Sequence, residues 1–202
     1  MIKILQLKEK NISVLLFFLN FSSFLIKFIG GLNSNSLAIM SHSYDMFIDA
    51  LVSGISLWAI GRENKTKEKI ALIKGFLFFL FGITTICSAF KNFGESTLPN
   101  PTELGFYSFL SILINIASIF LIFRSRNESI LLKTSWFACR NDFLVNLILL
   151  IDAGIIHKAV SNFPDLIISG FIGYIFISSF LETVVDLVKS GFLNLNFRSK
   201  NA

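Results

Sequence analysis

Residues 36 to 60 read SLAIMSHSYDMFIDALVSGISLWAI, an apolar run that carries His42, Asp45 and Asp49 near its middle. At about 1.5 Å per residue, a helix over this run is long enough to cross the roughly 30 Å of hydrocarbon in a bilayer. Successive residues turn by about 100°, so His42, Asp45 and Asp49 fall within an arc of about 60° on one face. A charge left alone at that depth is costly, and ionisable residues there line a cavity or bind something.

The rest of the chain sets the frame for that helix. Of 202 residues, 53% are hydrophobic, 24 are Phe and only 15% are charged, a composition too apolar for a soluble domain of this size. It describes a polytopic membrane protein. Pro is scarce and no Gly/Ser-rich or like-charge run marks a linker, so a single membrane domain is expected. Cys87 and Cys139 both lie inside apolar segments, which is not the pattern of an extracellular disulfide framework. The net charge of +5 reports the sidedness of the loops in a chain this apolar, and nucleic acid is not an expected partner. No nucleophile–base pair, phosphate loop or cofactor motif appears, so neither an enzyme nor a resident cofactor is expected.

Apolar stretches and polar breaks predict an all-α membrane protein of six transmembrane helices. They span about residues 12–32, 36–60, 70–90, 105–123, 129–156 and 164–188, and the expected domains are a cytoplasmic N-terminal segment (1–11), the transmembrane domain (12–188) and a short cytoplasmic tail (189–202). The first stretch is long for a secretory signal and lacks a small-x-small cleavage site. Six helices put both termini on one side. That side holds Lys3, Lys8, Lys10, Arg62, Lys65, Lys67, Lys69, Arg124, Arg126, Lys189, Arg198 and Lys200, against Lys91 and Lys158 on the other. The positive-inside rule then places both termini in the cytoplasm, in an inner or cytoplasmic membrane.

Depth joins a second helix to the first. Counted at about 1.5 Å per residue from the cytoplasmic ends, Asp49 lies roughly 16 Å in, Asp142 roughly 18 Å and Asp45 roughly 22 Å. Three carboxylates meeting at low dielectric need either protons or a cation between them. A divalent metal ion supplies the second, and because its ligands bind deprotonated, loading metal releases protons. Cys139 lies one turn before Asp142. Arg140 points about 160° away from Asp142 and is read as facing another helix. Lys27 and Lys74 are read as snorkelling to the interfaces without a chemical role. Glu182 and Asp186 are assigned to a solvated helix end, and Asp152 and Asp165 to interfacial hydration.

The residues Asn20, Lys27, Gly30, Ser36-Leu37-Ala38 and Asp45-Met46-Phe47-Ile48-Asp49 resemble the first two helices of the cation diffusion facilitator (cation efflux) transporters. Trp136-Phe137-Ala138-Cys139-Arg140-Asn141-Asp142 is similar to the fifth-helix motif in short members of that family. The resemblance covers roughly Asn20 to Leu187 and implies a divalent-metal transporter, with Zn²⁺ or a similar ion leaving the cytoplasm in exchange for protons. It implies a metal set of Asp45, Asp49 and Asp142, completed by His42 or Cys139, because Ala138 stands at the usual fifth-helix histidine position. The expected partners are divalent metal ions, protons and membrane lipid. The short tail leaves no room for the family's cytoplasmic dimerising domain, so this is expected to be a short form, paired through its helices as a homodimer or with a full-length transporter. The alternative is a non-transporting accessory or regulatory subunit of the same fold.

Overall fold

The computed structural model describes residues 2–59, 64–93, 98–123, 125 and 130–189. Arg62, Arg124, Arg126 and the tail from residue 190 lie outside the described residues, as do the side chains of Lys3, Lys8, Lys65, Lys67 and Ala138.

Six helices follow one another: α1 (Ile2–Ser34), α2 (Leu37–Ala59), α3 (Asn64–Asn92), α4 (Pro101–Phe123), α5 (Ile130–Ala159) and α6 (Phe163–Lys189). Several extend beyond the apolar runs. α1 reaches back through the basic start and α3 through the charged stretch before Ile70, since neither stretch contains the Gly or Pro that would stop a helix. α4 starts at Pro101, whose missing N–H is no loss in a first turn, and Asn100 Oδ1 accepts from the N–H of Thr102 at 3.1 Å. Asn35, at φ 51°, makes the left-handed step that ends α1 and turns the chain into α2.

α1, α3, α4 and α6 are long and apolar enough to cross a membrane. α2 and α5 are of matching length and carry Asp45, Asp49, Asp142 and Asp152 within them. The bundle is greasy outside and polar within. Phe76, Phe106, Phe120 and Phe171 are exposed, whereas α4 buries Ser108, Ser111, Asn115 and Ser118 along one stripe. Such small side chains let helices approach closely in lipid, and Ser111 and Ser118 meet their own needs by donating to the carbonyls of Tyr107 and Ile114.

Two close approaches fix the assembly. α1 meets α4 where a Cβ on Gly30 would fall 2.5 Å from Tyr107 Cγ, and Asn33 donates to the Tyr107 hydroxyl at 2.8 Å. α3 runs antiparallel to α6, with Phe78 on Phe176 and Phe79 on Phe180, and a Cβ on Gly82 would meet Ile177 at 2.9 Å. α2 contacts α1, α3 and α6. Its central residues therefore face the space between the α3–α6 pair and the rest of the bundle.

Candidate metal centre

The phase of α2 is set at its first turn. Ser36 Oγ accepts from the N–H of Ile39 at 3.1 Å and donates to Asp165 Oδ1 at 2.5 Å. The Leu37 N–H donates to Asp165 Oδ2 at 2.8 Å. The free donors of a helix N-terminus are thus met by a carboxylate from another helix, and the helix dipole favours that charge. Asp165 is buried, not hydrated at the interface: α6 begins beside α2 and the carboxylate replaces water with backbone N–H groups.

One and two turns further along, His42 and Asp45 come level with Asp142 of α5. Each of the three offers a ligand atom, and these atoms lie within 4.8 Å of one another. His42 is 1% exposed, and its Nε2 stands 3.6 Å from Asp142 Oδ1. Asp49, one turn beyond Asp45, faces the same cavity of about 370 Å³. Asn141 and Ser179 add polar groups to its lining, while Phe78, Val145, Ile172 and Phe176 make it largely apolar. Cys139 lies elsewhere, buried among Ile12, Leu16 and Ile122.

Both intramembrane lysines depart from the snorkelling expectation. Lys27 is 1% exposed, with Nζ 2.7 Å from His42 Nδ1 and 3.5 Å from Nε2. Lys74 donates to Asp49 Oδ1 at 3.2 Å. The physical reason is that each stem reaches a carboxylate cluster more readily than the headgroup region, and the cluster supplies the counter-charge. With Lys27 as an ammonium, which can only donate, His42 Nδ1 is the acceptor, and a neutral ring then carries its proton on Nε2, the atom that stands 3.6 Å from Asp142 Oδ1. Sequence reasoning missed both lysines, although an ionisable residue inside a membrane is itself a functional signal. Asp152 likewise departs from interfacial hydration and is fully buried, while Glu182 and Asp186 are exposed.

Chemically the centre is one imidazole with carboxylate oxygens at the wall of a partly open, mostly apolar cavity. That donor set suits borderline divalent ions, and a bound ion would take over the neutralising work now shared by two ammonium groups. Residues 13–190 match the family described as the cation efflux transmembrane domain. No match to a curated protein accompanies it. With the match spanning nearly the whole chain and a buried His–Asp cluster inside six helices, the chain belongs to the cation efflux family and is a multi-pass membrane protein that transports metal cations.

Proposed function

We propose that the chain moves a divalent cation of the Zn²⁺ class out of the cytoplasm in exchange for protons, by alternating access around the His42–Asp45–Asp142 centre. The observation that carries this reading is the convergence of these three ligand atoms within 4.8 Å from two different helices. Asp49 serves as a fourth donor once it lets go of Lys74, and His42, not Cys139, completes the set because Cys139 sits among apolar side chains. Carboxylates and imidazole bind metal only when deprotonated, which ties metal loading to proton release. The basic residues on the termini side support an orientation with both termini in the cytoplasm.

In everted vesicles, wild-type chain should accumulate Zn²⁺ when an inward-acid pH gradient is applied, and Asp142→Ala and Asp49→Ala should not. Unchanged uptake in both variants would sink the site assignment. A second reading, a non-transporting partner of a full-length transporter, is favoured by the two ammonium groups already pairing the centre. Purified, folded chain that shows no Zn²⁺ flux when reconstituted alone selects it.

A further inference from the structure

The cavity at the metal centre opens among α2, α3, α5 and α6, but α5 carries a second set of buried polar groups that does not line it. Asp152 is 0% exposed, and neither carboxylate oxygen has a hydrogen-bond partner among the described residues. The same holds for both amide atoms of Asn146, for Asn115 Nδ2 and for Ser108 Oγ. Antiparallel packing of α4 on α5 sets their levels: a Cβ on Gly105 would touch Ala153 at 3.6 Å and Leu150 at 4.0 Å, and Ile122 clusters with Cys139. At about 1.5 Å per residue, Ser108 then lies within about a turn of Asp152, and Asn115 within about a turn of Asn146. Asn146 is one turn from Asp142. The orphaned groups occupy successive levels from the metal centre toward the end of the bundle away from the termini, with Asn146 and Asp152 about 9 Å apart along α5.

An ionised carboxylate buried without a partner is costly, and a bound proton removes that cost. One carboxylate and one hydroxyl do not make the three or four donors, with nitrogen or sulfur among them, that hold a Zn²⁺-class ion. Amide groups do not titrate and cannot pass a proton on themselves, but their donors and acceptors can hold water that does. We propose that Asp152 and Ser108 form a proton-binding site in the far half of the bundle, joined through Asn146 and Asn115 to the centre, so that protons and metal cross by separate routes. This rests on the exchange reading. A proton from water at the far end adds to the Asp152 carboxylate, and one leaves it to water held by the Asn115 and Asn146 amides and passes from water to water toward the cavity, with no net change at Asp152. Among the charged groups around it, Asp165 of α6 acts on it directly. Glu103 lies in the first turn of α4, just over a turn outward of Ser108, and His157 and Lys158 of α5 are exposed.

The test reconstitutes the full chain in lipid vesicles, applies Zn²⁺, and reads Zn²⁺ and internal pH with separate dyes. Wild type should show a pH change opposed to the Zn²⁺ flux. Asp152→Asn should lose that pH change while the purified variant still binds Zn²⁺ with wild-type stoichiometry by calorimetry, and Asp152→Glu should restore it. Ser108→Ala, a smaller change at the same level, should slow the pH change and leave Zn²⁺ binding alone. A folded Asp152→Asn with full coupling overturns the inference, as does an unslowed Ser108→Ala or the loss of Zn²⁺ binding together with coupling. Zn²⁺ flux in wild type without any pH change, or no flux at all, instead overturns the exchange reading beneath it.

Discussion

Lys27→Met removes the ammonium that stands against His42 while keeping the volume of the stem. Lys27 Nζ is 3.5 Å from His42 Nε2, so a metal bound about 2 Å beyond that nitrogen lies about 5 Å from the ammonium. At an effective dielectric of about 20, a divalent ion at that distance is repelled by roughly 7 kcal/mol. The lysine stem can swing its head group away from an arriving ion, so this is a ceiling. Zn²⁺ binding to Lys27→Met should therefore tighten by about tenfold to a hundredfold, or roughly 1.4 to 2.8 kcal/mol. Lys27→Arg, which keeps the charge, should not show it. The metal-free variant should melt lower than wild type, because Asp142 and Asp45 lose a counter-charge, and saturating Zn²⁺ should recover more of that loss than it adds to wild type. Isothermal calorimetry in nanodiscs at fixed pH measures the affinity, and thermal melting with and without Zn²⁺ measures the rest. Equal or weaker Zn²⁺ binding by a folded Lys27→Met would refute the view that Lys27 occupies the place of the cargo, and would mean that it orients His42 for binding instead.

Two further substitutions probe the scaffold. Asp165→Ala leaves Ser36 Oγ and the Leu37 N–H without their carboxylate, and at about 1.5–3 kcal/mol for a hydrogen bond to a charged group it should lower the melting temperature clearly more than Ser36→Ala, which keeps the backbone bonds; equal effects would show that the backbone contacts carry little. Gly82→Leu forces side-chain atoms into the α3–α6 seam, where even a Cβ meets Ile177 at 2.9 Å, and should destabilise by about 1–3 kcal/mol with loss of Zn²⁺ flux; a normally stable variant would mean that the seam is looser than its geometry implies.

Periodicity and depth were enough to read the six helices and the meeting of α2 with α5, because burial inside lipid leaves few explanations for Asp45, Asp49 and Asp142. What they could not supply was the partner of each charge. Lys27 lies toward one end of α1, where a lysine snorkels by default, yet the turn at Asn35 folds α2 back along α1, and Lys27 and His42 are eight residues before and seven residues after that turn. Hairpin symmetry alone would have paired them. Lys74 and Asp49 are likewise almost evenly spaced about the α2–α3 connection. Asp165 and Asp152 are a harder case. Their burial depends on how α6 returns to the start of α2 and how α4 lies along α5, contacts between segments more than forty residues apart that no local pattern encodes. The same limit explains Cys139: its spacing from Asp142 fits a ligand set, but a three-residue step turns a side chain by about 60°, enough to carry it from the cavity into the cluster with Ile12 and Ile122. Ligand choice in this bundle is therefore decided by rotation about the helix axis more than by depth. His42 and Asp45 differ by the same three-residue step and yet both bring a ligand atom within 4.8 Å of Asp142, because a side chain longer than that of cysteine spans the difference in direction.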